Sequence, residues 1–356
     1  MTLQAVIAGF LPVLVFLLGL RLMDSFKLVH RGLLYTAIVA GVAAALVAFA
    51  ANQAAISWFH VPPEVLRGWV APPLEELFKA ALVAWWIHTD RVGFVVDAAI
   101  VGFAVGAGFA LTENVYYAVV LEDPSFVLWL VRGLGTAIMH GSTTALFAIF
   151  GKALSDRYPR AGALAFVPGL LLGVAIHAVY NQLTLSPIIT SAVLLGLMPV
   201  LLVAAFDYSE RVTRAWLSTG FDGEMEMLEK ILDGEVGRTP VGEYLEALRS
   251  RFSPMIVADL FCLLTIHLEL SLRAKGMLIA RAHGVEIPVG DDVRSNLEEL
   301  KFLERTVGPT GLLAILPLRR TSRRDLWQIL LLERARGAKR ADAGRGRSGN
   351  TGRPVP

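Results

Sequence analysis

Pro72-Pro73-Leu74-Glu75-Glu76-Leu77-Phe78-Lys79 lies inside an apolar run that extends over residues 65 to 88. A run of that length can cross a bilayer as a helix, which needs about 20 residues. It nevertheless carries two adjacent acids and a lysine, and one charged side chain at a bilayer centre costs about 2.5–3.5 kcal/mol even on the lenient insertion scale. Neighbouring spans therefore have to supply compensating polar groups, and the stretch demands a helix bundle with a polar interior. Three later apolar runs carry candidates: Glu113-Asn114, His140, and His177 with Asn181.

Working outward, the chain is 55% hydrophobic and 18% charged, more apolar and less charged than ordinary soluble domains. Its formal net charge of +2 gives no argument for nucleic acid as a partner. Cys262 is the single cysteine, so there is no intramolecular disulfide framework and no cysteine cluster for a metal. Apolar runs at roughly 5–22, 33–51, 65–88, 93–121, 126–151, 162–183 and 187–206 predict an all-α, polytopic membrane helix bundle of about seven transmembrane helices within residues 1–206. No Lys or Arg precedes the first run, and Leu20-Arg21-Leu22 is a poor cleavage site, so that run is expected to stay as an anchor. Basic residues cluster after alternate spans: Arg21, Lys27 and Arg31, then Arg91, then Lys152, Arg157 and Arg160, then Arg211 and Arg214. The connections around 52–63, 122–125 and 183–186 carry none. The positive-inside rule then places the N-terminus outside and the C-terminus in the cytoplasm.

In that topology Glu75 and Glu76 sit near the outer start of the third span, where Pro62, Pro63, Pro72 and Pro73 predict a broken or re-entrant entry. Glu113 and Asn114 fall in the outer third of the fourth span. Arg132, Thr136, His140 and Thr144 recur at four-residue steps on the fifth, and His177 and Asn181 share a face of the sixth. Individually these residues have plainer readings. Glu75 and Lys79 fit an i, i+4 ion pair, either histidine fits a hydrogen-bonded core residue, and Asn181 fits interhelical glue. Arg132 is expected to snorkel to the interface, and Asp97 to be interfacial. As a group they fit water activation. Crowded carboxylates supply acid and base, a histidine positions water, and an imidazole or Asn amide donates to a developing oxyanion. Lys79 would hold one carboxylate charged. No His-Glu-x-x-His zinc signature is present, so no metal ligands are assigned, although Glu and His from several helices can bind a divalent ion.

Glu75-Glu76-x-x-Lys79, Phe109-x-x-x-Glu113-Asn114, His140 and His177-x-x-x-Asn181, in that order on successive spans, resemble the PrsW family of intramembrane proteases, related to CAAX prenyl endopeptidases and bacteriocin-processing enzymes. The match covers roughly residues 65–185. The resemblance implies an endopeptidase cutting a membrane-anchored protein at its outer side. A membrane-bound anti-sigma factor is one expected substrate, and a bacterial inner membrane the expected location. It further implies that Glu75 or Glu76 activates water, that Glu113 and His140 support it, and that His177 with Asn181 forms the oxyanion pocket. Lys79, Phe109 and Asn114 are supporting residues. Related CAAX enzymes have Arg in the first motif and His in the second, where this chain has Lys79 and Glu113. A glutamic mechanism without cofactor is the expectation, with a divalent metal as the open alternative.

Residues 207–333 read as a mostly helical cytoplasmic domain with an unknown cytoplasmic partner. Ser253-Pro254 marks a helix start, Ser295-x-x-Glu298 resembles a capping box, and Gly284 and Gly308 are plausible stops. Residues 255–272 are apolar enough for a further span, but Asp259, His267 and Glu269 favour a buried soluble helix. Residues 334–356, rich in Arg, Gly and Pro, are expected to be disordered. The competing functions are a proton-coupled transporter, since intramembrane Glu, Lys and His also build proton relays, and a receptor with a cytoplasmic output domain.

Overall fold

The computed structural model describes residues 3–24, 29–122, 125–182, 186–285, 287–288, 290–318 and 332. Lys27, most of the connection at 183–186 and the tail 334–356 lie outside them. The described residues are almost entirely helical, with no strand, and the chain divides into two compact units, residues 1–212 and 213–356.

In the first unit α1 (Leu3–Met23) and α2 (Arg31–Phe59) are followed by one turn, α3 (Pro63–Val65), and a π-helical segment, Leu66–Val70, that leads into α4 (Ala71–His88). Pro72 and Pro73 occupy the first turn of α4, where their missing N–H groups cost nothing to the helix. The central helix is α5 (Val95–Val120), buried at every one of its first 16 residues except Val96, as expected of an apolar helix with no polar face. After α6 (Phe126–Leu130) a second π-helical segment, Val131–Thr136, leads into α7 (Ala137–Arg157). A 3-10 segment, Pro159–Phe166, then joins α8 (Val167–Asn181). Helix α9 runs Pro187–Leu232. Glycine lets α5 press against its neighbours: a Cβ at Gly106 would overlap the His140 carbonyl of α7, and one at Gly108 the Ile38 carbonyl of α2.

Among the described residues, seven helical stretches are long and apolar enough to cross a membrane by length and composition, Val6–Met23, Arg31–Phe59, Val95–Val120, Phe126–Arg157, Pro159–Asn181, Pro187–Leu232 and Pro254–Ala282. The chain is a polytopic helix bundle as the sequence predicts, but the membership differs. The expected third span is split by the π segment, and Glu75, Glu76 and Lys79 leave α4 too charged to qualify. The stretch read as a soluble helix, now α11 (Pro254–Ala282), qualifies instead. Asn52, expected in a connection, lies inside α2, which continues to Phe59 and ends on left-handed His60.

The second unit holds α10 (Pro240–Leu248), α11 and α12 (Asp291–Ile315). Ser253 caps α11 through the Ile256 N–H, and Gly284, in the left-handed region, follows its end. The expected capping box does not form: α12 begins at Asp291, and Ser295 Oγ bonds the Asp291 carbonyl within the helix. Gly308 is a kink inside α12 rather than its end, with Pro309 after it. Two polar groups of α11 are met within the unit, Glu269 by Asn296 at 2.8 Å and buried Lys275 by Glu224 at 2.6 Å.

Because a side chain at residue 106 meets backbone rather than a movable side chain, Gly106→Val is expected to destabilise the first unit by about 3 kcal/mol, the upper end for overpacking. The readout is a lowered melting temperature of the purified protein in detergent. An unchanged value would show that α5 and α7 do not depend on this contact.

Candidate active site

The π-helical entry to α4 shapes one wall of the site. Ala71 N–H bonds back to the Leu66 carbonyl, five residues earlier. The next bond in that series would join residue 72 to residue 67, but Pro72 has no N–H. The Arg67 carbonyl is thus left for a side chain, and Asn181 Nδ2 donates to it at 3.4 Å. Beyond the prolines, α4 turns Glu76 and Lys79 into the bundle, with 3% and 0% of their side chains exposed.

Lys79 Nζ donates to Glu76 Oε1 at 2.6 Å and to His140 Nδ1 at 3.1 Å. It also lies 5.0 Å from the Phe109 ring centroid. An ammonium has only donors, so His140 Nδ1 accepts and Nε2 carries the proton that meets Glu113 Oε2 at 3.1 Å. Glu76 Oε1 also receives Thr143 Oγ1 at 3.2 Å and His177 Nδ1 at 2.8 Å. His177 Nδ1 is therefore protonated, and its Nε2 accepts from Asn181 Nδ2 at 3.1 Å. The two imidazoles stand edge to face, with centroids 4.7 Å apart. Glu75 is the more open acid at 13% exposure. Its Oε2 lies 3.7 Å from His177 Nε2 and its Oε1 accepts from Asn52 Nδ2 at 3.2 Å. Opposite it, Glu113 pairs with Arg132 Nη2 at 3.3 Å.

The structure thus brings Glu75, Glu76, Lys79, Phe109, Glu113, His140, His177 and Asn181 together. Asn114 stands a layer further out. It accepts from Arg132 Nε at 2.8 Å and donates to the Gly9 carbonyl of α1 at 2.7 Å. Two expectations are corrected. Arg132 does not snorkel: it is 8% exposed, bound to Glu113 and Asn114, with its guanidinium 3.8 Å from the Tyr117 ring centroid. Lys79 pairs with Glu76 at i, i+3, not with Glu75 at i, i+4. Asp97 is buried at the start of α5, its Oδ2 accepting the Phe94 N–H at 3.2 Å. Sequence reasoning missed Asn52 and Thr143. A helix-long apolar pattern broken at residue 52 was a usable signal for the first. Thr143 lies outside the four-residue stripe, whose register the π segment 131–136 shifts, so nothing local marked it.

With both histidines neutral, three carboxylates face two cations, leaving one negative charge that a proton or a bound cation balances. Glu75, His140 and His177 each offer a ligand atom, all within 4.8 Å of one another. Each histidine has a carboxylate on its other ring nitrogen, Glu113 and Glu76, which is the outer support expected around metal-bound imidazole. The donor set fits a divalent ion, on the condition that Lys79 Nζ leaves any lone pair His140 Nδ1 is to give.

The bundle of apolar helices thus shelters carboxylates, imidazoles and an amide from lipid, a donor set suited to activating water. Residues 29–206 match the model of a family described as PrsW family intramembrane metalloprotease, half of the chain, and the chain belongs to that family. It is a multi-pass membrane protease acting on membrane-protein substrate in the bilayer. No curated protein and no solved structure gave a significant match.

Arg132→Met leaves Glu113 and Asn114 without their buried cation. It is expected to destabilise the first unit by about 2 kcal/mol, below the 3–5 kcal/mol of a fully buried pair because Glu113 is partly open. Adding Glu113→Gln should recover part of the loss. Additive melting shifts in the double variant would show that the pair is not coupled.

Proposed function

We propose that the protein is an intramembrane endopeptidase in which Glu75 is the general base and Glu76 its buried anchor. The observation that carries this reading is the asymmetry between the two acids. Glu76 Oε1 is already taken by Lys79, Thr143 and His177. Glu75 is more open, with Oε2 3.7 Å from an unprotonated His177 Nε2, a gap that one water can bridge.

In this mechanism Glu75 takes a proton from water as the water oxygen bonds to the scissile carbonyl carbon. Asn181 Nδ2 turns from His177 and Arg67 toward the oxyanion. Glu75 then returns the proton to the amide nitrogen as the C–N bond breaks, leaving a carboxylate and an amine. Lys79 keeps Glu76 ionised, Glu76 orients His177, and Glu113 with Arg132 orients His140. Glu75, His140 and His177 would hold a divalent ion if one binds, and it would supply a more acidic water at the same place. The Lys79 contact to His140 Nδ1 favours the glutamic route.

The distribution of basic residues supports an N-terminus outside and a C-terminus in the cytoplasm, with the site in the outer half of the membrane. A membrane-bound anti-sigma factor, the substrate class suggested by the resemblance, suits that placement. Residues 207–333 are then a cytoplasmic binding or regulatory domain, 334–356 its disordered basic tail, and the host membrane a bacterial inner membrane.

Comparing membrane-protein N-termini by mass spectrometry, in cells with wild type or variants at equal expression, tests the reading. Glu75→Gln should abolish outer-side cuts, about 10²–10⁴-fold for loss of a general base, while leaving the melting temperature near wild type. Glu76→Gln should lose activity and stability together, because Lys79 is left buried without its carboxylate. Identical termini in all three would sink the protease assignment of this site. Cleavage by purified enzyme should also survive a divalent chelator. Loss on chelation, with restoration by zinc and a bound metal that disappears in His177→Ala, would instead assign a metal-held water.

A further inference from the structure

We propose that Asn52 is a substrate-binding and positioning residue of this site: its amide N–H fixes the Glu75 carboxylate, and its carbonyl Oδ1 accepts a backbone N–H of the peptide being cut. The inference rests on the reading of Glu75 as the base.

The residues of α2 that face the bundle are small: Gly41, Ala44, Ala45, Ala48 and Ala55 are buried there. Residues 41, 45, 48, 52 and 55 fall on one helix face by their spacing of four and three. An amide therefore interrupts a packing seam of alanine and glycine, at the height where α4 presents Glu75. A lone Asn on such a seam is ordinarily interhelical glue, which uses both ends of its amide. Here only one end is used. Asn52 Nδ2 donates to Glu75 Oε1 at 3.2 Å, whereas Oδ1 is shielded from solvent and has no hydrogen-bond donor among the described residues.

With Glu75 ionised, as a base must be before it takes a proton, the orientation of the amide is fixed, since turning it over would set Oδ1 against a carboxylate oxygen, acceptor against acceptor. The two ends of one amide are only about 2 Å apart, so Oδ1 lies within roughly 5–6 Å of the Glu75 oxygen it serves. A buried acceptor that close to the base, without a donor of its own, is suited to a group that arrives with the substrate. The group that every peptide substrate carries beside its scissile carbonyl is a backbone N–H. Recognition through that group orients the chain without reading its side chains, which suits a protease selecting on membrane location.

The experiment uses the full-length protein in proteoliposomes with a membrane-anchored synthetic reporter built on the most abundant outer-side cut found in cells. Each backbone N–H within two residues of the cut is replaced in turn by an ester oxygen. Wild type should lose about tenfold in kcat/KM at one of those positions. Asn52→Ala, which continues the small-residue seam, should lose about tenfold on the all-amide reporter and nothing further on that ester. Asn52→Asp keeps an acceptor but sets a carboxylate against Glu75, so it should lower kcat while leaving KM near wild type. A purely structural Asn52 would lower the melting temperature and leave the ester pattern of the folded fraction unchanged, which overturns the proposal. So does an Asn52→Ala enzyme that cleaves like wild type, or one whose loss multiplies with the ester loss at every position. The ester arm uses unaltered protein and stands even if a variant folds poorly. Glu75→Gln is run alongside: cleavage at the wild-type rate in that variant removes the base assignment and this proposal with it, whereas inactive Glu75→Gln beside fully active Asn52→Ala removes this proposal alone.

Discussion

The Lys79 ammonium has to be neutralised inside the bundle, and most of the site follows from how that is done. At 0% exposure it has lost its water, a cost that attraction to Glu76 repays only if the remaining donors and lone pairs are also met. They are met from different helices. Lys79 reaches His140 on α7, and Glu76 gathers Thr143 from α7 and His177 from α8. One ion pair three residues apart on α4 thereby ties three helices together and sets the tautomers of both histidines. The same carboxylate that balances the lysine is unavailable for other work, which leaves its neighbour Glu75 to face the open side.

Two π-helical segments place these groups. Each turns the helix by the width of an extra residue just before a functional stretch, Leu66–Val70 ahead of Glu75-Glu76 and Val131–Thr136 ahead of His140. Such bulges expose backbone groups and re-aim side chains. In the first, the adjoining Pro72 frees the Arg67 carbonyl that holds Asn181. In the second, the shift sends Arg132 inward to Glu113. Between them α5 acts as a rigid post, kept close to α2 and α7 by glycine at the contact points. Positional accuracy at the site thus comes from close backbone approach as well as from charge.

Much of this was legible along the chain. Charged residues inside apolar runs stand out because a bilayer gives them no solvent, so Glu75, Glu76, Lys79, Glu113, His140, His177 and Asn181 could be singled out one run at a time. Their order on successive spans carried the family resemblance that the match over residues 29–206 bears out. What failed depended on a register shifted by a π turn or on partner choice. Arg132 looked like an interfacial residue because its distance from the run's edge says nothing about which way a π turn aims it. Asn52 looked like the edge of a loop because alanine-rich sequence does not mark where a helix stops. At α4 and α11 length and composition alone rank the helices differently from the sequence reading, because three charged residues weigh against α4 and the apolar length of α11 weighs for it.

By itself the sequence determined that the chain is helical, apolar and many times membrane-crossing, and that its few intramembrane charges must meet. Those conclusions follow from solvation energies that each residue carries wherever it sits. Only the tertiary structure decided which acid is locked and which is open, that Lys79 serves Glu76 and His140 rather than Glu75, and that Asn52 bonds Glu75. Pairings of that kind turn on distances of a few tenths of an ångström between helices far apart in the chain. The physical reason is that hydrogen bonds and ion pairs are short-ranged and saturable, so their partners are chosen by packing geometry and not by residue type.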